Sequence, residues 1–253
     1  MRLISYNILN GGEGRADPIA ETIAAQRPDV VVLIEADKPE IVERIAARLE
    51  MEVVEAVGKR HSVALLSRWP IVESINHGQL DAGISNCFLE AVVHGPSGNE
   101  WLLGIVHLHP RAADADDLHR RQEIARICET FADARATGRS HLLAGDFNSD
   151  SPIQRIDPAQ CKPATRKVWH ENGGHIPRGA IQALLDNGYI DTLHAMRGDE
   201  AGTLASFTTN HPGQRVDYVF AYGLENRLKN AWIEQDRLAK YASDHFLVGV
   251  ELR

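Results

Sequence analysis

Val30–Ile34 reads Val-Val-Val-Leu-Ile, a strand-length run with no polar residue at alternate positions. A strand with one face in water alternates polar and apolar residues, so a run that is apolar throughout is buried on both faces. A chain carrying it needs material above and below the sheet, which confines it to layered architectures. The residues that close such runs are the second constraint. Glu35 closes this one, and Asn7 closes the apolar strand near the start. LLGIVHLHP ends on His107 and His109, and HLLAGDFN ends on Asp146 and Asn148 in one turn after Gly145. Asp217 sits within QRVDYVFA, and Ser243, Asp244 and His245 precede FLVGVEL. A strand that only fills a core has no use for these endings.

The remaining pattern places helices between early strands. Strands are expected at 3–8, 63–66, 71–75, 88–93, 101–106, 141–144, 216–222, 231–233 and 246–252, several bounded by turn signals such as RWP and GPSGNE. A helix at 17–26 takes Asp17 as N-cap and Pro18 at N1. Pro39–Leu49 has helical spacing at Ile41, Val42, Ile45 and Leu49. Residues 114–135 form the longest helical candidate, with Leu118, Ile124, Ile127 and Phe131 on one face. Residues 150–178, rich in Pro, Gly and polar side chains, read as a long loop with room for a short helical turn. A helix at 178–187 ends at Gly188. No repeat or linker divides the chain, so one domain over 1–253 is expected, with two sheets packed together and helices outside.

Composition narrows the classes. The formal net charge of −8 argues against an open basic groove for duplex nucleic acid, but not against a nuclease whose metal ions neutralise the local charge. Three widely spaced cysteines without CxxC speak against a disulfide framework or zinc cluster and for a reducing compartment. The start alternates as a strand does, without the apolar stretch of a signal peptide, and no run approaches the roughly 20 apolar residues of a membrane span. A cytoplasmic protein is expected.

Taken singly, the polar strand ends have bland readings. Asn7 serves as a turn residue, Glu35 as a helix cap, His107 and His109 as half-buried strand histidines, and Asp146 with Asn148 as an Asx turn. Asp217 is harder to dismiss, because a carboxyl within an apolar strand needs a partner or a proton. Together they gather Glu35, Asp146, Asp217 and Asp244, two amides and up to three imidazoles at one rim of the sandwich. Like charges that close repel by several kcal/mol unless a cation sits among them. Carboxylate and water ligands suit Mg²⁺ or Mn²⁺, which share their remaining positions with water and substrate phosphate. Phosphoester chemistry is the natural use of such a site.

SYNILN, VVVLIEAD, VALLSR, VHLHP, LLAGDFNSD, QRVDYVFA and SDHFLVGVEL occur in an order that resembles the endonuclease/exonuclease/phosphatase superfamily. That DNase I-like group takes in base-excision-repair nucleases, neutral sphingomyelinases, inositol-polyphosphate 5-phosphatases and deadenylases. The resemblance covers nearly the whole chain. It implies an α/β (α+β) four-layer sandwich, two mixed β-sheets face to face and flanked by helices. It also implies the roles of residues. Glu35 is the principal metal ligand, Asn7 supports it, and Asp244 is a second metal or water contact. Asp146 orients or deprotonates the attacking water, and Asn148 helps hold the phosphate. His245 contacts the phosphate in acid–base chemistry with Asp217 orienting it, and His107 lies near the phosphate. His61 departs from the glycine common in relatives and stands as a substrate contact or a surface histidine. His109 and Arg111 are within reach of a substrate anion; Arg166, Lys167 and Trp169 in the long loop are either further contacts or solvated residues.

The expected function is hydrolysis of a phosphodiester or phosphomonoester by in-line attack of water, on nucleic acid or on a small or lipid-derived phosphate. A binding module that kept the fold and lost the chemistry is the alternative of a different class. Degenerate members would lack Glu35, Asp146 or His245, and all three are present.

Overall fold

A computed structural model describes the backbone of residues 1–253 and every side chain except that of Ser97. The chain lays down β1 (Arg2–Asn7), β2 (Val30–Ile34), β3 (Glu52–Ala56) and β4 (Val63–Ser67). Next come β5 (Ile71–Asn76), β6 (Cys87–His94), β7 (Glu100–His107), β8 (His141–Asp146), β9 (Ile190–Asp191) and β10 (Asp217–Tyr222). β11 (Leu228–Ile233) and β12 (Val248–Leu252) complete the set. The first four and last two make a six-stranded sheet in the order β11-β12-β1-β2-β4-β3. The middle six make the other, β5-β6-β7-β8-β10-β9. In each sheet one parallel pair, β1 with β2 and β7 with β8, lies among antiparallel neighbours.

The helices α1 (Ala16–Ala25), α2 (Pro39–Leu49), α3 (His77–Leu80), α4 (Asp114–Thr130), α5 (Ala132–Ala136), α6 (Pro163–Glu171), α7 (Gly179–Asp186), α8 (Thr192–Arg197) and α9 (Ala239–Ala242) connect and cover these strands. The Val30–Ile34 run shows how the layers arise. Val30, Val32 and Ile34 enter the core between the sheets with Leu65, Leu103, Ile105 and Leu142. Val31 and Leu33 face the other way, onto Ile19 and Ile23 of α1 and Val42 and Ile45 of α2. The second sheet is covered in the same way, with Leu102, Val106 and Leu143 against Ile124, Ile127 and Ile181. The result is the four-layer helix–sheet–sheet–helix sandwich that the sequence leads one to expect.

Several elements depart from the sequence expectation. α1 begins at Ala16, and its N-cap is Arg15, which makes no side-chain cap; Asp17 sits in the first turn. The helix expected over 114–135 breaks at Phe131 into α4 and α5. Leu118 is 54% exposed, so it lies off the buried face. That face carries Asp117, Arg120 and Glu123 as well as Ile124 and Ile127. Residues 150–178 hold a full helix, α6, begun by Pro163 and anchored by the buried Trp169. β3 is an addition to the expected strands, and its outer edge makes no strand pairing. Cys87, Cys128 and Cys161 are buried free thiols. Among the described residues no helix is long and apolar enough to cross a membrane.

Candidate active site

The strand directions bring the polar ends together. β1 and β2 end, and β4 and β12 begin, at the same rim of the first sheet. In the second sheet β7 and β8 end where β10 begins, so Asp146 has His107 beside it on one strand and Asp217 on the other. Gly145 permits this: its φ is 148°, and a Cβ there would lie 1.9 Å from the Val106 carbonyl oxygen. Only glycine lets β8 press this closely on β7 just before the carboxylate. The chain then turns at Asn148, left-handed at φ 48°, whose N–H donates to Asp146 Oδ1 at 2.8 Å. The Asn148 amide donates to the Leu108 carbonyl at 3.1 Å, which leaves its second hydrogen unassigned.

One amide joins the two sheets at this rim. Asn7 Nδ2 donates to Glu35 Oε1 at 3.1 Å and to Asp146 Oδ2 at 3.0 Å. Its own oxygen accepts from the Leu9 N–H at 3.0 Å, which fixes the amide's orientation. Glu35 Oε2 accepts from the Asn10 N–H at 2.7 Å. Glu35 itself is left-handed at φ 58°, a strained backbone for a non-glycine residue. Burial pushes its carboxyl up, but the Asn10 N–H, His107 and Asn7 outweigh this and hold it below the usual range.

His245 closes the arrangement. Its Nδ1 meets Asp217 Oδ2 at 2.8 Å, so Nε2 points at the centre, 3.9 Å from both Asp146 Oδ2 and Asp244 Oδ1. His107 Nε2 is also 3.9 Å from Asp146 Oδ2. These gaps are too long for hydrogen bonds. Burial opposes charge on His245, but the charge and hydrogen bond of Asp217, with Asp146 and Asp244 behind, hold it up at about 10. Nothing comparable supports His107, which burial presses down to about 3. Burial, then the charge of Asp217, raises Asp146 to about 7.

Asp146, Asp217 and Asp244 have only imidazoles within ion-pair distance, and among the described residues no lysine or arginine reaches them or Glu35. Asp217 Oδ1, Asp244 Oδ1 and His107 Nδ1 are buried without partners. A cation among these groups would satisfy both the charge and the orphaned oxygens, so the donors fit a divalent ion. Ligand atoms of Asp146, Asp217 and His245 lie within 4.8 Å of one another. Two of them are already bonded to each other, however, which makes the trio a carboxylate–imidazole relay more than a ligand set. Glu35 is the freer carboxylate, bound only by neutral N–H donors.

The peripheral candidates separate. His61 stays close: its ring centroid is 5.5 Å from that of His107, and Asp37 Oδ2 holds its Nδ1 at 2.8 Å. Arg111 lines a cleft of about 710 Å³ beside Asn148 and His245, whose far wall is α6. Trp169 lines that cleft too, while Arg166 and Lys167 do not. His109 turns away, with Nε2 on Asp116 at 3.0 Å and Nδ1 near Ser85 Oγ at 3.4 Å. Sequence reasoning misses the supports. Ser206 Oγ accepts from the Val216 and Asp217 N–H groups, each at 3.1 Å. Ser243 Oγ donates to the Asn7 carbonyl at 2.6 Å and accepts from the His245 N–H. Only Ser243 carries a signal, its place in the SDH triplet.

Residues 4–245 match the model of the endonuclease/exonuclease/phosphatase family. The chain belongs to that family. As a member of the endonuclease/exonuclease/phosphatase family it is a hydrolase of phosphoric ester bonds. Solved structures agree on the fold. An AP endonuclease from Archaeoglobus fulgidus superposes with a TM-score of 0.76 at 18% identity, covering 100% of this chain and 99% of that one. A 3′ phosphatase from Neisseria bound to a product DNA hairpin gives 0.75 at 20%, with 100% and 99% covered. A humanized D. rerio TDP2 gives 0.67 at 18%, with 100% and 98% covered. No match was found among curated proteins.

Proposed function

We propose that this family member hydrolyses phosphoester bonds of nucleic-acid strands, with Mg²⁺ or Mn²⁺ held by Glu35, braced by Asn7 and completed by Asp244. The donors are carboxylate oxygens without a thiolate, which suits a hard cation. Such an ion, when bound, neutralises the carboxylates and polarises a phosphoryl oxygen. Asp146 takes a proton from the attacking water, and Asn7 and the Asn148 N–H hold its carboxylate in place for that. A base that titrates near neutral pH is well matched to this task. His245 keeps its Nδ1 proton on Asp217, so the proton on Nε2 is the one offered to a phosphate oxygen or to the leaving group. His107, neutral through burial, lines the same point without adding charge. The remaining Asn148 amide hydrogen is available to the scissile phosphate.

The observation that supports this most is the single Asn7 amide bridging Glu35 and Asp146, which sets a cation-binding carboxylate beside a water-activating one. The named solved neighbours include enzymes of DNA ends and abasic sites, which favours a strand substrate. A small or lipid-derived phosphate is the second reading. The net charge of −8 favours it. A cleavage panel decides between them. Plasmid, single-stranded RNA, a 3′-phosphorylated oligonucleotide, an aryl phosphodiester and small phosphomonoesters are incubated with Mg²⁺ or Mn²⁺, with EDTA and the His245→Ala protein as controls. Strand cleavage or end dephosphorylation lost in both controls supports the first reading. Release from small esters alone transfers the activity to the second, and silence with intact metal binding contradicts both.

A further inference from the structure

We infer that Ser85, His109 and His119 form a second metal site, separate from the Glu35 centre, that takes an imidazole-preferring divalent transition ion such as Zn²⁺ or Cu²⁺. Three chain segments converge there. Ser85 precedes β6, His109 comes after β7, and His119 lies on α4. Ser85 Oγ is 2.7 Å from His119 Nε2 and 3.4 Å from His109 Nδ1, so both imidazoles direct a ring nitrogen at one point. Their rings are 4.7 Å apart, centroid to centroid. The far nitrogen of His109 is held by Asp116 Oδ1 at 3.0 Å, and Asp116 is itself fixed by the Ala113 N–H on its other oxygen. A carboxylate on the outer nitrogen of a ligating histidine is the usual support of a metal site; it sets the tautomer so that the inner nitrogen is a free lone pair.

The backbone beneath is fixed as well. Glu123 is fully buried and accepts from the Ser85 and His109 N–H groups, each at 2.8 Å. It ties the two loops together and adds negative charge behind the donors. The same bonds exclude another reading of the Ser85–His109–Asp116 chain. Those two N–H groups are not free to hold an oxyanion, so the serine lacks the support that acyl transfer needs there. Two imidazoles and a hydroxyl prefer Zn²⁺ or Cu²⁺ to Mg²⁺. His109 and Asp116 are about one-fifth exposed, so an ion reaches them from solvent.

The test is calorimetric titration of the full chain with Zn²⁺ in saturating Mg²⁺, repeated on Glu35→Gln, His119→Gln and Asp116→Asn. The expected result is one Zn²⁺ equivalent kept in Glu35→Gln, at least ~10-fold weaker in His119→Gln, and roughly 10–100-fold weaker in Asp116→Asn. Zn²⁺ binding unchanged in His119→Gln, or lost in Glu35→Gln while kept in His119→Gln, overturns the inference. Cu²⁺ electron paramagnetic resonance on the unmutated chain at one equivalent gives a readout that needs no variant to fold. Coupling to two imidazole nitrogens that survives saturating Mg²⁺ upholds the site, and its absence refutes it.

Discussion

Asp150, in the turn after β8, makes a testable demand on stability. It is 3% exposed, its Oδ2 accepts from Gln214 Nε2 at 2.9 Å, and its Oδ1 has no partner. Burial lifts its carboxyl from 3.8 to about 6, even though Gln214 and the charges of Arg178, Arg120 and Arg215 pull the other way. The folded chain therefore binds this proton more tightly than the unfolded one. Stability falls as pH rises from about 4 to about 6, and the full cost persists above. Two units at 1.36 kcal/mol each make that cost about 3 kcal/mol. Asp150→Asn keeps an acceptor for Gln214 and removes the charge. Its new N–H₂ group carries a cost of its own, but that cost does not depend on pH. The quantity to measure is thus the variant's stability minus the parent's, by urea denaturation at pH 4.5 and at pH 8. It should rise by about 2 kcal/mol between the two, or roughly 4–8 °C in Tm for a chain of this size. A difference that is the same at both pH values would refute the reasoning, and one that falls would reverse its sign.

Other expectations concern the centre itself. Asp146→Asn should stay folded and lose at least ~10²-fold in turnover, the scale of a lost acid–base group; near-normal rates would remove it from the chemistry. Glu35→Ala should need more Mg²⁺ for half-maximal activity, and a superimposable Mg²⁺ titration would deny it the ligand role. Asp217→Asn removes the charge that holds His245 up at about 10. The alkaline limb of the kcat/KM profile should then move to lower pH, because the imidazolium is lost earlier; a limb that does not move would show that His245 is not the group being read.

Much of the fold and site is legible in sequence for one physical reason: a strand buried on both faces has little room for carboxylate, amide or imidazole side chains except at its end. Asn7, Glu35, His107 and Asp146 all stand there. The illegible parts lack an apolar signature. β3, EVVEA, is a half-exposed edge strand with charged residues at two of its five positions. The buried face of α4 near its start is Asp117, Arg120 and Glu123, each bound to specific partners. Hydrophobic spacing therefore points to Leu118, which solvent surrounds. His109 invites grouping with His107, yet alternation on a strand sends adjacent odd positions the same way only while the strand lasts. β7 stops at His107, and His109 is free to fold onto α4.

The pairing of β1 with β12 has a consequence for how the candidate site is assembled. Asn7 and Glu35 stand on the first two strands, while His245 and the strand that locks beside β1 come more than two hundred residues later. Asp146 and Asp217 arrive between them on the other sheet. A chain shorter than residue 245 lacks the imidazole, and its first sheet lacks a central neighbour for β1. The candidate site is therefore not the property of any local segment: the pairing that places β12 beside β1 is also what sets Ser243 on the Asn7 carbonyl.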